Sequence, residues 1–164
     1  MQFYDITLSD FERYEKELCE RSLYDFTRVF WSEVEGQPFQ ANWHIEAICE
    51  HLQALSEGQI SKLCINGPPR CGKSRPASIM WQPWDWIRNP HYNWLTSALA
   101  LELAIEFNYF SRQIIRSEKY QRYWGNRFFI VENNDLKKQF LNNIGAKRLA
   151  VSIGSRFIGF GGTR

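Results

Sequence analysis

The stretch Gly67-Pro68-Pro69-Arg70-Cys71-Gly72-Lys73-Ser74 has the pattern G-x-x-x-x-G-K-S/T, which is typical of loops that bind phosphate. It follows a short apolar run at residues 63–66, which we predict to be a β-strand, and it precedes a segment that we predict to be a helix. The pattern and its flanks together predict a nucleotide-binding loop. The alternative is a glycine-rich strand-to-helix turn with an incidental lysine.

The loop residues differ in the chemistry that they offer. Lys73 places a positive charge near the β and γ phosphates of ATP, and the hydroxyl of Ser74 is a ligand for Mg²⁺. Gly67 and Gly72 allow tight curvature, whereas the two prolines cannot donate, so residues 70–74 must supply the backbone N–H groups. The predicted ATP-binding residues of the loop are Gly67, Pro68, Pro69, Arg70, Cys71, Gly72, Lys73 and Ser74.

Composition sets broad limits on the kind of protein. The 164 residues suit one domain, and a net charge of +2 neither indicates nor excludes a nucleic-acid partner. The four cysteines include no C-x-x-C pair, no secretory leader opens the chain, and no apolar stretch is long enough to span a membrane. We therefore expect a cytoplasmic protein with reduced thiols and no membrane segment.

Three helices are predicted before the loop. A capping-box pattern at Ser9 and Glu12 begins the first, whose residues Phe11, Tyr14 and Leu18 share one face. The second covers about residues 23–34. The third begins after Asn42, and it has an apolar stripe of Ile45, Ile48, Cys49 and Leu52. His44 and His51 lie on this third helix, and we assign neither a catalytic role.

Strands and helices alternate after the loop. A helix is predicted from residue 72 towards 87, where Pro83 should kink or end it, and a strand follows at 93–97 and a helix at 98–116. Short β-like runs then occupy residues 128–132, 138–142 and 147–153. This order predicts an α/β fold with a parallel-sheet core, flanking helices and an N-terminal helical segment.

Several segments together resemble the large subunit of tailed-phage terminases, the ATP-driven motors that package DNA into a procapsid. They are residues 38–44, 68–74, 86–90 and 159–164, and the double proline followed by arginine in the loop is more specific than the general pattern. The resemblance implies a P-loop NTPase of the additional-strand type. On this interpretation residues 1–36 are a helical segment and residues 37–164 are an ATPase domain.

Two parts of that family's pattern are missing. The family places an acidic strand, which holds the Mg²⁺ shell and activates water, shortly after a segment like residues 159–164, and a nuclease domain beyond it. We therefore expect this chain to be the front part of a motor ATPase, truncated before the acidic strand and without the nuclease. A substitute is the apolar run at 128–132, which ends in Glu132; the alternative is an ordinary strand with an exposed glutamate.

The resemblance also implies further site residues and partners. Gln40 would read the adenine edge with its amide, and Arg70 would contact the γ phosphate, although a solvent-facing role is nearly as well supported. Arg156 and Arg164 are candidates for the arginine that one ring subunit supplies to the next, beside the alternative of surface basic residues. The implied partners are double-stranded DNA, the procapsid portal, the small terminase subunit and other copies of the chain, in the cytoplasm of an infected or prophage-carrying host.

The leading hypothesis is thus the ATP-binding part of a viral DNA-packaging motor, with ATP and Mg²⁺ as cofactors. Another P-loop enzyme, such as a helicase or a nucleotide kinase, has the same loop chemistry. A non-catalytic nucleotide-binding or decayed fragment is the third possibility, because the acidic residues of the family are missing.

Overall fold

The computed structural model describes residues 8–132 and 136–154, and the chain divides into two compact units, Met1–Asp85 and Trp86–Arg164. The first unit contains helices α1 (Asp10–Arg21), α2 (Leu23–Phe30) and α3 (Trp43–Ser56), a 3₁₀ turn (Trp31–Glu33) and a π-helical turn (Arg75–Met80). The π-helical turn leads into α4 (Trp81–Arg88), which begins in the first unit and ends in the second. The second contains β1 (Trp94–Ala98), α5 (Leu101–Arg116), α6 (Glu118–Trp124), β2 (Gln139–Leu141) and β3 (Lys147–Ser152). The division into residues 1–36 and 37–164 stays a prediction.

The predicted capping box is present at the start of α1. The Ser9 N–H donates to Glu12 Oε2 at 2.8 Å, and the Glu12 N–H donates to Ser9 Oγ at 3.3 Å. The face that carries Phe11 and Tyr14 is not buried, however, since these side chains are 71% and 61% exposed. Helix α1 is anchored instead near its C-terminal end by buried Cys19, whose carbonyl accepts from Trp84 Nε1 at 2.8 Å.

Helices α2 and α3 pack through the stripe that the sequence predicts on α3. Ile45, Cys49 and Leu52 are buried, whereas Ile48 is only half-buried. Gln53 of α3 also ties down the junction of α1 and α2. Its Oε1 accepts from the Leu23 N–H at 3.2 Å, and its Nε2 donates to the Arg21 carbonyl at 2.9 Å.

The helix after the loop extends to Arg88, close to the predicted end near residue 87, so that of the two effects expected of Pro83, a kink or an end, the end does not occur. Its first part is π-helical, and the Trp81 N–H donates to the Pro76 carbonyl five residues earlier. The regular hydrogen-bond pattern is thus already shifted just before Pro83, and local π geometry is a common way to absorb such a disruption. Burial of Ile79, Met80 and Trp84 keeps the segment packed.

The predicted strand at residues 63–66 is not formed. Within the described chain these residues make no backbone hydrogen bond to a neighbouring strand. An apolar run becomes a strand only when a partner satisfies its N–H and C=O groups, and the sequence pattern does not reveal whether that partner is in place.

The second unit contains a mixed three-stranded sheet in the order β1-β3-β2. β1 and β3 are parallel, with Trp94 opposite Arg148 and Ala98 opposite Ser152, whereas β2 is antiparallel to β3. The prediction of a parallel sheet is therefore right for one pair and wrong for the other, because a turn as short as residues 142–146 can join only antiparallel strands. Residues 128–132 contribute one isolated bridge, between Ile130 and Asn142.

Helix α5 covers the sheet of this unit, and the small side chains of Ala98, Ala104 and Ala150 allow close approach. Trp86 packs edge-on against Phe128 and Phe140 at ring-centroid distances of 5.6 and 5.8 Å. The mixed α/β class is thereby established. Helices in the described part of the chain are too short or too polar for a transmembrane span.

Candidate functional site

The loop at residues 67–74 has the backbone of a tight turn. Arg70 and Gly72 both adopt left-handed conformations, with φ of 61° and 82°. At Gly72 a side chain would be strained by the φ and crowded as well, because a Cβ would lie 3.3 Å from Ile45 Cδ1. Arg70 has a Cβ and adopts this conformation at a cost of roughly 1–2 kcal/mol.

Three consecutive backbone donors are available in this turn. Within the described residues, the N–H groups of Gly72, Lys73 and Ser74 form no hydrogen bond. The next turns are closed, since the Arg75 N–H donates to the Gly72 carbonyl at 3.1 Å and the Ala77 N–H to the Lys73 carbonyl at 3.3 Å. Free N–H groups in a turn at the start of a helix form a typical anion-binding arrangement.

Lys73 folds back across the loop. Its Nζ donates to the Pro68 carbonyl at 3.0 Å, so the ammonium lies against the backbone that the two prolines leave without donors. The two ends of the loop also approach closely at Gly67, where a Cβ would lie 3.5 Å from Cys71 Sγ and 4.0 Å from Lys73 Cδ. The positive charge of Lys73 therefore lies against the backbone of the same loop.

Two contacts from the preceding helical region hold the loop, and the sequence prediction included neither. His44 Nε2 lies 2.8 Å from the Cys71 carbonyl oxygen. Glu35 forms an ion pair with Arg75, the residue that directly follows Ser74. The sequence carried one signal for His44. Together with Ala47, Ile48 and His51 it has the i, i+3, i+4, i+7 spacing of one helical face.

A cavity of about 540 Å³ lies between that face of α3 and the chain that enters the loop. Its walls are mainly apolar and include Ile48, Leu63 and Ile65, with Lys73 at one side. Trp43, at its rim, is 80% exposed. The full lining is Trp43, His44, Ala47, Ile48, His51, Leu63, Cys64, Ile65, Asn66, Gly67, Pro68, Cys71 and Lys73.

The structure brings the predicted loop residues together but leaves others apart from the cavity. Gln40 is exposed and does not line it; its neighbour Phe39 packs on Tyr24 and Trp31 at 5.9 and 5.1 Å between ring centroids. Arg70 and Ser74 are exposed on the loop.

The alternative acidic residue and the two distal arginines have no established place in this site. Glu132 is exposed in the second unit, after a run that forms no continuous strand. The structure therefore fits an exposed glutamate at position 132 better than a substitute for the acidic strand of the core. Arg156 and Arg164 lie outside the described residues.

Comparison of the chain with models of known protein families, with curated proteins and with solved structures finds no match.

Proposed function

We propose that this chain is the ATP-binding portion of a viral DNA-packaging motor, similar to the large subunit of tailed-phage terminases. The observation that carries the proposal is the loop at residues 67–74. Among the described residues its Gly72, Lys73 and Ser74 N–H groups form no hydrogen bond, and the Lys73 ammonium lies against the Pro68 carbonyl of the same loop. Such an arrangement suits the phosphates of a nucleotide. The assignment to terminases, rather than to another class of nucleotide-binding protein, rests on the sequence resemblance alone.

Phosphate binding on this proposal requires Lys73 to change partner. Its Nζ would leave the Pro68 carbonyl for the β and γ phosphate oxygens, which accept a charge-assisted and therefore stronger hydrogen bond. The N–H groups of Gly72 and Ser74 would donate to the same phosphates. Lys73 thus acts as an electrostatic stabiliser of charge on the transferred group.

The residues present fit a magnesium ion only in part. Ser74 is exposed at the first helical position, where its hydroxyl would be one ligand. Bound there together with the phosphates, Mg²⁺ would neutralise negative charge on the β and γ oxygens. Coupling of hydrolysis to DNA translocation, the ring assembly, and contacts with the portal and the small subunit belong to the proposed complete motor.

The experiment is calorimetric titration of the folded chain with Mg·ATP, with phosphate release measured in the same samples. We expect Lys73→Ala to weaken binding at least about 100-fold, because a charged hydrogen-bond donor is lost. Lys62→Ala is the matched control, since Lys62 is exposed and does not line the cavity.

The outcomes separate the proposals. Binding with turnover that depends on Lys73 supports a motor ATPase, and binding without turnover supports a non-catalytic nucleotide-binding chain. If wild type and Lys73→Ala bind Mg·ATP equally, or a folded wild-type chain binds none, nucleotide binding by this loop is refuted.

A further inference from the structure

We infer that His44 is a positioning residue for the phosphate loop: it holds the Cys71–Gly72 peptide in the orientation that presents the Gly72 N–H to a phosphate. The inference rests on the proposed function in naming phosphate as the ligand. The contact itself belongs to the first unit and joins α3 to the loop.

The hydrogen-bond chemistry of this contact is unambiguous. A backbone carbonyl only accepts, so His44 Nε2, 2.8 Å from the Cys71 oxygen, must carry the hydrogen. The peptide between Cys71 and Gly72 is planar and trans, and its C=O and N–H therefore point in opposite directions. With the carbonyl held towards α3, the Gly72 N–H points away from His44, and it is one of the three free donors.

This peptide needs an external contact to stay in one orientation. It joins Cys71, which follows the left-handed Arg70, to the left-handed Gly72, and a glycine imposes little steric restriction on rotation of the adjoining peptide plane. The Cys71 carbonyl has no backbone donor among the described residues. Loss of the His44 hydrogen bond would therefore let the plane turn and replace an inward N–H by a carbonyl, which repels phosphate.

His51 shows by contrast that the role of His44 is specific. It lies on the same helix and lines the same cavity, yet its Nδ1 is 2.7 Å from the carbonyl of Ala47 in its own helix. Among the described residues, no side-chain hydrogen bond joins His51 to the loop.

The test compares His44→Phe, His44→Gln and, as a control, His91→Phe, since His91 is exposed and does not line the cavity. All are made in a Cys64→Ser background, in which Cys71 is the one of the three remaining cysteines that is not buried. Two quantities are measured: the Kd for Mg·ATP, and the rate of Cys71 modification by a thiol reagent without nucleotide. Thermal melting verifies that each variant is folded.

For His44→Phe we expect Mg·ATP to bind about tenfold more weakly, because the Gly72 N–H is no longer aligned for its hydrogen bond to the charged phosphate. We expect Cys71 to react at least about threefold faster, because the loop opens more often. His44→Gln should retain both values within about twofold, since its amide nitrogen reaches a position similar to Nε2 and can donate. His91→Phe should match the background protein.

Several results would overturn the inference. It fails if His44→Phe equals the background protein in both quantities, or if His44→Gln is as impaired as His44→Phe. Should His44→Phe not fold, His44→Asn replaces it, because the shorter amide cannot reach the carbonyl, and the same criteria apply. If the background protein binds no Mg·ATP, the proposed function fails, and the Cys71 reaction rates alone decide whether His44 orders the loop.

Discussion

Single side chains contribute to the conformation of the loop at residues 67–74. Lys73 is anticipated by the pattern, and its contact with the Pro68 carbonyl gives the ammonium a partner in the absence of phosphate. His44 is not anticipated as part of the site, because a histidine on an amphipathic helix has no sequence mark of the backbone oxygen that it will meet. The sequence therefore predicted the residue types in the loop, but it predicted the contacts that hold the loop only in part.

The buried thiol of Cys49 on α3 should make the free energy of unfolding depend on pH. Burial raises the pKa of its thiol to about 12 from an ordinary 9.0, partly offset by the contact of Thr27 Oγ1 with Cys49 Sγ at 3.7 Å. Between these values the folded chain keeps a proton that the unfolded chain loses, so this group makes the free energy of unfolding fall as pH rises. We expect the fall to be up to about 1.4 kcal/mol per pH unit steeper in the wild type than in Cys49→Ala.

Urea unfolding at several pH values from 8.5 to 10.5 checks this prediction. Cys64→Ala is the matched control, because Cys64 is exposed, and it is expected to keep the wild-type slope. Parallel slopes for Cys49→Ala and the wild type would contradict the assignment of this proton to Cys49.

Contacts between elements place the loop in the first unit. α3 supplies His44, and the turn after α2 supplies Glu35, so two points of the loop region are fixed by helices that precede it in the chain. The prediction recovered these helices because capping and apolar periodicity are local signals. It was wrong at residues 63–66, where strand formation depends on a partner.

The ion pair between Glu35 and Arg75 should stabilise the start of the helix that follows the loop. Both side chains are nearly three-quarters buried, with 27% and 28% exposure, so solvent screens them less than it does a surface pair. We expect Glu35→Gln to lower the free energy of unfolding by about 1 kcal/mol, measured by urea titration.

The control pair is Arg21 and Glu17 on α1. It is 2.5 Å apart and strongly exposed, at 74% and 60%. Glu17→Gln should change stability by less than about 0.5 kcal/mol. Equal effects of the two substitutions would argue that the pair at the loop has no special stabilising role.

At the scale of the whole molecule, the second unit contains buried polar side chains that are joined to one another by hydrogen bonds. Arg148 of β3 is buried, and desolvation lowers the pKa of its guanidinium to about 9. It donates through Nε to Asn108 Oδ1 at 2.8 Å and through Nη1 to Ser111 Oγ at 2.6 Å, and Asn108 Nδ2 donates to the Lys138 carbonyl at 3.0 Å. The cluster joins α5 to the sheet by hydrogen bonds inside an apolar core.

We expect Arg148→Ala to destabilise the chain by about 3 kcal/mol, because it creates a cavity and leaves two buried acceptors without their donor. Lys147→Ala, at the half-buried neighbouring position of β3, should cost less than about 1 kcal/mol. Urea unfolding followed by tryptophan fluorescence compares them, and a loss for Arg148→Ala no larger than for Lys147→Ala would refute the proposed importance of the cluster.

The amino-acid sequence by itself determined the phosphate-loop pattern, the helices with their caps and apolar stripes, and all three strands of the sheet at nearly their observed positions. These features depend on neighbours a few residues apart, which a sequence displays directly. Tertiary structure alone decided that residues 63–66 pair with no strand in the described part of the chain, that β2 runs antiparallel to β3, and that His44 contacts the Cys71 carbonyl. Each of these depends on groups that are distant in the chain, or on the direction in which a backbone group points, and neither is encoded in local periodicity.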